Sequence, residues 1–210
     1  VEILDGNGGQ SSLTVQEVLD KGFTSAQNIE FRLNQNQSNG EIDTSGLSGD
    51  LTLRGTNQSD TLTGNDYDNT IYLRADYHQN SNGQGSDTVY AGAGDDTVVW
   101  STQNHGSWRD HFSAVDEASR TYFLGGDIDG GSGSDTLRLD FGGGYWYHSY
   151  GPRADSSGAE PWKIDLTGLN LSGIETLNAT GQLGHGTRYP SHFILTVDQL
   201  ASLDSATGLI

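Results

Sequence analysis

A nine-residue phrase built from glycine and aspartate recurs along the middle of this chain and restricts its fold more than any other feature. The stretch "NGQGSDTVYAGAGDDTVVW" (82–100) contains two such phrases end to end. Each has a glycine-rich half, then Asp-Thr, then an apolar residue, which fits the template G-G-x-G-x-D-x-U-x with U a large apolar residue. The copies are 55–63, 64–72, 82–90, 91–99 and 130–138, with a degenerate echo at 171–179. Such a fixed period predicts a solenoid, in which each copy stacks on another.

The chemistry of the phrase predicts turns that present oxygen atoms. Its glycine half must turn tightly, with backbone dihedrals that a side chain would obstruct. The sixth position adds a side-chain oxygen, and it is held by Asp60, Asn69, Asp87, Asp96 and Asp135. A short strand follows, and its apolar residue is expected to face inwards: Leu62, Ile71, Val89, Val98 and Leu137. Two stacked turns could surround one hard cation, which prefers six to eight oxygen ligands.

These phrases resemble the calcium-binding nonapeptide repeats of RTX proteins, over roughly residues 50–140. The resemblance implies a parallel β-roll with several Ca²⁺ ions between successive turns. The expected metal ligands are Asp60, Asp66, Asp68, Asn69, Asp87, Asp95, Asp96, Asp127, Asp129 and Asp135. Position four is Gln58 in one phrase and Tyr67 in the next, so the ion sites of this first pair are expected to be altered or incomplete.

Composition supports an extracellular protein that uses cations for stability. The net charge is −18, and aspartate (21) far outnumbers glutamate (7). Ten Lys and Arg residues argue against binding to nucleic acid or to an anionic membrane surface. There is no cysteine, hence no disulfide and no thiolate site, and no apolar stretch long enough to span a bilayer. Only 32% of the residues are hydrophobic, so bound metal ions are expected to contribute to the stability of the fold.

Both ends of the chain carry a second repeat, a strand followed by a short helix. "VEILD" leads to "LTVQEVL", and "IETLN" leads to "LTVDQLA". Two pairs fit the capping box that starts a helix, Thr14 with Glu17 and Thr196 with Gln199. We therefore expect a mainly all-β, solenoid-like domain spanning 1–210, with repeats at 55–99 and 130–138 and capped helices near both ends. We expect it to be a monomeric module of a larger, secreted or cell-surface adhesin.

Two insertions, 100–129 and 141–163, interrupt the repeats. We expect the ligand-binding site in them, because solenoid proteins carry binding residues in such loops. Asp127 and Asp129 alternate, so their carboxylates face one side of an extended chain. With Asp135 they could form a calcium site at the mouth of the first insertion. The second insertion, "GGGYWYHSYGPR", crowds aromatic residues that suit either a recognition surface or a satellite core.

The arrangement looks like the peptide-binding domains of RTX adhesins, in which a calcium ion helps to grip the C-terminal carboxylate of a peptide on another cell. The residues expected to contact such a ligand are Trp108, Arg109, Asp110, Tyr145, Trp146, Tyr147, Tyr150 and Arg153. A lectin-like module that binds glycans through calcium, and a purely structural calcium-folded spacer, are the alternatives. No catalytic motif is found, and an enzyme is not expected. Ice binding is disfavoured because the insertions are expected to cut the row of repeated threonines into pairs.

Overall fold

The computed structural model describes residues 3–5, 14–33, 40–56, 58–74, 86–101, 115–116, 121–140, 163–180 and 192–207. The N-terminal part contains strand β1 (Ile3–Asp5), helix α1 (Val15–Asp20) and strand β2 (Ser25–Gln27). β1 and β2 pair in parallel as a small sheet. The rest of the described chain forms two seven-stranded sheets, and the expected mainly-β character is confirmed.

The two large sheets are built from strands that take turns along the sequence. Sheet I contains β3 (Glu30–Arg32), β5 (Thr52–Arg54), β7 (Thr70–Arg74), β9 (Thr97–Ser101), β12 (Thr136–Asp140), β14 (Thr176–Thr180) and β16 (Ser205–Thr207). Sheet II contains β4 (Glu41–Asp43), β6 (Thr61–Asn65), β8 (Asp87–Gly92), β10 (Val115–Asp116), β11 (Thr121–Asp129), β13 (Lys163–Ser172) and β15 (His192–Ile194). Helix α2 (Val197–Ser202) follows β15. Described neighbours within each sheet pair in parallel, except β10 with β11.

The apolar position of each phrase lies in the core, as predicted. Leu62, Ile71, Val89, Val98 and Leu137 are all 0% exposed. Their neighbours along each strand face outwards, because successive side chains of a strand point to opposite sides. Among the described residues, all the buried apolar side chains except Val99 belong to a single cluster.

Equivalent threonines stand in register across sheet I, at spacings that are multiples of nine only from Thr52 to Thr97. Thr52, Thr70, Thr97, Thr136 and Thr176 stand side by side on five adjacent strands. The repeated threonines of the five phrases are divided between the sheets, Thr70, Thr97 and Thr136 in sheet I and Thr61 and Thr88 in sheet II. The expectation that the insertions cut their row into pairs is therefore wrong, because the pairing register continues across the first insertion. Part of that predicted insertion, 121–129, is itself the strand β11 of sheet II. The row beside it holds Arg54, Tyr72, Val99 and Arg138. Those unequal, partly charged side chains still disfavour the flat face that ice binding requires.

Both predicted capping boxes are confirmed. In α1, the Glu17 amide donates to Thr14 Oγ1 (3.2 Å) and the Thr14 amide donates to Glu17 Oε2 (2.7 Å). In α2, the Gln199 amide donates to Thr196 Oγ1 (3.1 Å) and the Thr196 amide to Gln199 Oε1 (2.8 Å). Each helix has six residues, and within the described part of the chain no helix is long and apolar enough to cross a membrane.

Candidate metal centre

The sixth positions of the phrases form two columns of side chains, one at the start of each sheet's strands. Column 1 belongs to sheet I and contains Asn69, Asp96, Asp135 and Glu175, which precede β7, β9, β12 and β14. Column 2 belongs to sheet II and contains Asp60 and Asp87, at β6 and β8. The columns arise because strands alternate between the sheets, so the phrases that lead into strands of the same sheet come to the same side.

One oxygen of each acidic side chain in column 1 binds the backbone of the adjacent turn. The Asn69 amide N–H donates to Asp96 Oδ1 (2.7 Å), and the Asp96 N–H donates to Asp135 Oδ1 (2.8 Å). The Asp135 N–H donates to Glu175 Oε2 (2.7 Å). These bonds hold the carboxylates in fixed positions between neighbouring turns, and each occupies only one of the two carboxylate oxygens.

The second oxygens of Asp96 and Asp135 are buried without a partner. The two residues are 1% and 0% exposed, and Oδ2 of each has no hydrogen bond among the described residues. A buried carboxylate oxygen without a donor is costly, since burying a charge requires a counter-charge or hydrogen bonds. The two orphaned oxygens therefore need either a proton or a cation.

Burial also raises the pKa values of three column carboxylates, Asp87, Asp96 and Asp135. For Asp96 the loss of solvation raises the pKa from 3.8 to about 6, opposed by the Asn69 N–H and reinforced by the charge of Asp135. For Asp135 burial again raises the pKa, and the charge of Glu175 adds to it against the Asp96 N–H. In column 2, burial raises the pKa of Asp87 to about 7. The fold thus makes anionic side chains unfavourable at these positions unless positive charge is supplied.

Asn69 shows that oxygen atoms of its own turn converge on the same place. Its Nδ2 donates to the Tyr67 carbonyl oxygen (2.6 Å) and to Asn65 Oδ1 (3.1 Å). An NH₂ group with its partial positive charge thus lies among oxygens at the position that Asp96 holds in the next turn of column 1, while the Asn69 Oδ1 is, like Oδ2 of Asp96 and Asp135, buried without a partner among the described residues. This arrangement fits a cation at the equivalent positions and a neutral substitute at Asn69.

Gly130 leaves room beside the orphaned oxygen of Asp135. A Cβ on Gly130 would lie 2.8 Å from Asp135 Oδ2 and 1.9 Å from the Gly173 carbonyl oxygen. Both oxygens therefore face a space that exists because residue 130 has no side chain. Three His, Cys, Asp or Glu side chains do not come together in the described segments. A cation held in these turns would draw on carbonyl oxygens as well as carboxylates, as hard cations do.

Asp60 differs from Asp96 and Asp135, because its carboxylate is fully used by the protein. Oδ1 accepts from the Gly40 N–H (2.9 Å), and Oδ2 accepts from the Thr56 N–H (2.5 Å) and the Thr56 hydroxyl (2.8 Å). Asp87 in turn accepts from the Asp60 N–H (2.9 Å). Thr56 stands where the template has its second glycine, so a departure from the template supplies the donors that satisfy Asp60 without an ion.

The remaining predicted ligands with described positions lie near the surface. Asp68 and Asp95 are exposed and form an outer row, in which the Asp95 N–H donates to Asp68 Oδ1 (2.8 Å) and the Ser134 N–H to Asp95 Oδ1 (2.9 Å). Asp66 is exposed in the same turn as Asp68. These carboxylates face water, where burial puts no pressure on them to acquire a counter-ion.

Asp127 and Asp129 share one face of β11, as their alternation predicted, and that face is the outer side of sheet II. Asp127 Oδ1 accepts from Asn170 Nδ2 (2.6 Å), and Asp129 Oδ1 accepts from the Ser172 hydroxyl (2.9 Å). Asp135, by contrast, is buried in its turn. A calcium site shared by these three aspartates stays a prediction.

All residues predicted to contact a ligand lie outside the described residues: Trp108, Arg109, Asp110, Tyr145, Trp146, Tyr147, Tyr150 and Arg153. Two participants in the turns were missed by the sequence reasoning. Glu175 closes column 1, and its signal was the acidic residue in the degenerate phrase 171–179. Thr56 satisfies Asp60, and its only signal was a threonine where the template has glycine.

Comparison with known proteins gives no relative: no family model, no curated protein and no solved structure matches this chain. The resemblance of its phrases to RTX repeats therefore stays a prediction. What the turns can do chemically is read from their own oxygens, burial and charge.

Proposed function

We propose that this chain is a calcium-dependent ligand-binding module of a bacterial surface adhesin of the RTX type. The fold is then a calcium-bound parallel β-roll, and the inserted loops grip the C-terminal carboxylate of a peptide or protein on a target cell. The observation that carries the proposal is the pair of buried, unpartnered carboxylate oxygens at Asp96 and Asp135. Adjacent turns of one column hold them, at the position where the repeat pattern predicts a shared ion.

Several properties of the turns favour calcium as the cation. The available ligands are all oxygens, from carboxylates and from turn carbonyls, which suits a hard cation with a high coordination number. The net charge of −18 opposes compaction, and ion binding between turns relieves that repulsion. A cation that binds the folded turns and not the unfolded chain stabilises the fold by mass action. Folding is therefore expected to depend on external calcium.

The strand order supports a roll as the arrangement of these turns. From β3 to β9 each strand lies in the sheet opposite to that of the strand before it, and all the pairings among these strands are parallel. A chain that crosses between two parallel sheets at every strand stacks its turns in two columns, one on each side. Asp96 and Asp135 belong to one of these columns, which is the geometry needed for ions between turns.

The ligand-binding role belongs to the two insertions and rests on their composition. A calcium ion with an open coordination position accepts a carboxylate oxygen, and Arg109 or Arg153 supplies a second positive group. Tyr145, Trp146 and Tyr147 offer aromatic surface with polar edges, which is favoured in recognition. Such a ligand places the module on the outside of the cell.

A single array experiment tests this proposal. Peptides with free or amidated C-termini and a set of glycans are printed together and probed with the chain in constant calcium. Binding confined to free C-termini supports carboxylate recognition. Binding to the amidated peptides to the same degree contradicts it, and binding only to glycans assigns the loops to a lectin-like role. If the chain binds no member of the array although calcium-induced folding is intact, the result favours a structural spacer.

A further inference from the structure

The outer face of sheet II is polar over the described part of β4, β6, β8, β11 and β13, and it carries the exposed aromatic side chain of Tyr90 on the middle one of these strands. Strand register places its outward side chains in two rows. The first row is Glu41, Thr61, Thr88, Asp127 and Asn170; the second row is Asp43, Thr63, Tyr90, Asp129 and Ser172. We call these ten residues the sheet II platform. It lies on the face of the sheet and borders the turns of column 2, since Thr61 and Thr88 directly follow Asp60 and Asp87.

Tyr90 is the feature that distinguishes the platform from an ordinary acidic surface. Its side chain is 51% exposed, in a row whose other members are all polar. Thr63 and Asp129 flank it on the neighbouring strands, about 4.8 Å away, and Thr88 precedes it by about 6.6 Å along its own strand. The ring therefore offers an apolar surface surrounded at short distance by hydrogen-bonding groups.

The polar groups around the ring are oriented and have capacity to spare. Asp127 and Asp129 each use one oxygen, for Asn170 and Ser172, which fixes the carboxylates and leaves their second oxygens as acceptors. The hydroxyls of Thr61, Thr63 and Thr88 make no hydrogen bond to any described residue, so each can donate and accept. Fixed acceptors next to hydroxyls that can do both match a ligand rich in hydroxyl groups.

We propose that the sheet II platform binds a neutral oligosaccharide, with a sugar ring lying on Tyr90. Sugar hydroxyls donate to the carboxylates of Asp127 and Asp129 and exchange hydrogen bonds with the threonines, while the C–H surface of the ring covers the aromatic face. The aromatic face and the polar groups beside it match the two kinds of surface of a sugar ring, its C–H groups and its hydroxyls. The proposal rests on the sheet alone and adds a site to the one proposed for the inserted loops.

The charges of the platform select among sugars. It holds four carboxylates, Glu41, Asp43, Asp127 and Asp129, and no Lys or Arg occupies a described position in either row. Uronic acids and other anionic sugars are therefore repelled. A cationic peptide would satisfy the carboxylates but would leave the threonine, serine and asparagine groups without a role, so a neutral sugar uses more of the surface.

The experiment measures binding of neutral glucose, mannose and galactose oligosaccharides by titration calorimetry at constant calcium. Oligogalacturonate and oligolysine are the charged comparison probes. Wild-type chain is expected to bind at least one neutral oligosaccharide. Tyr90→Ala is expected to lower the affinity about tenfold or more, which is about 1.4 kcal/mol. Thr63→Val, which removes one hydroxyl and keeps the side-chain shape, is expected to lower it by a smaller factor.

Tyr67→Ala is the matched control, because Tyr67 is similarly exposed (46%) but lies in a turn outside the platform. Its affinity for the sugar is expected to equal that of the wild type. Calcium-induced folding is recorded by circular dichroism on every sample. A chain that does not fold on addition of calcium contradicts the calcium proposal, independently of any result on sugar binding. With folding intact, the inference is overturned by absence of neutral-sugar binding, by binding to oligolysine alone, or by equal affinities of wild type and Tyr90→Ala.

Discussion

Replacing Asp96 by asparagine should have opposite effects on stability with and without calcium. In the absence of the ion the carboxylate is buried with one oxygen unpartnered, and burial raises its pKa from 3.8 to about 6. At pH 8 the folded state therefore holds an unfavourable charge, worth on the order of 3 kcal/mol at about 1.4 kcal/mol per pKa unit. The side-chain amide introduced by Asp96→Asn carries no charge, so the substitution is expected to stabilise the metal-free chain by up to about that amount.

The structure indicates that an amide fits at this position. Asn69 occupies the equivalent place in the adjacent turn, and its Nδ2 donates to the Tyr67 carbonyl oxygen. The residue at the same point of the next phrase is Gly94, and we expect its carbonyl oxygen to accept from the new amide. In calcium the sign reverses, because the substitution removes an anionic oxygen ligand. The calcium concentration at half-maximal folding should then rise.

The assay is urea unfolding followed by circular dichroism at pH 8, once in EGTA and once in excess calcium. Where the metal-free chain begins unfolded, trimethylamine N-oxide replaces urea and drives folding instead. Asp95→Asn is the control, since Asp95 is adjacent but exposed, and its effect in EGTA should stay within about 0.5 kcal/mol. A loss of stability of equal size in EGTA and in calcium for Asp96→Asn would refute the reasoning.

Three further predictions concern the metal-free fold, the packing of the turns and the helix cap. Burial raises the pKa of Asp87 from 3.8 to about 7, so the folded chain binds this proton more tightly than the unfolded chain. In EGTA the resulting contribution to stability should be fully present below about pH 4 and should be lost as the pH rises toward 7. Urea midpoints that do not fall over this range contradict this. Gly131→Ala should lower the free energy of unfolding by about 3 kcal/mol or more, because φ is +92° and a Cβ would clash with the Gly92 carbonyl oxygen. Gly22→Ala is the control, since Gly22 has a similar φ of +82° but nothing within 4 Å, and it should lower the same quantity by about 1 kcal/mol. Thr196→Ala removes the N-cap of α2 and should cost about 1 kcal/mol of unfolding free energy, whereas Thr196→Ser keeps the capping hydroxyl and should retain most of it.

Local periodicity predicted the parts of the fold that depend on spacing alone. A nine-residue phrase fixes which residue faces inwards, so Leu62 and Leu137 could be assigned to the core from the sequence. The capping boxes were equally visible, because the Thr and the Glu or Gln that form them are only three residues apart. Each of these features is decided by residues close together in the chain.

The missed features depend on residues far apart. Glu175 meets the Asp135 N–H across 40 positions, after the second insertion, and only the strand register brings them together. The unequal roles of Asp60 and Asp96 depend on whether a nearby side chain supplies donors, which Thr56 does for Asp60. The continuous threonine row likewise required knowing that insertions leave the register of sheet I unchanged.

The link between calcium and folding determines which experiment identifies the ligand. If cations between the turns stabilise the fold, a chelator removes the whole binding surface along with any ion that touches the ligand. Loss of binding in EGTA is then expected for a peptide held by calcium, for a glycan held by the inserted loops, and for a sugar on Tyr90 alike. Constant calcium with a change in the ligand separates these cases. An amidated C-terminus tests the carboxylate on calcium, and Tyr90→Ala tests the platform, because neither perturbs the turns at Asp96 and Asp135.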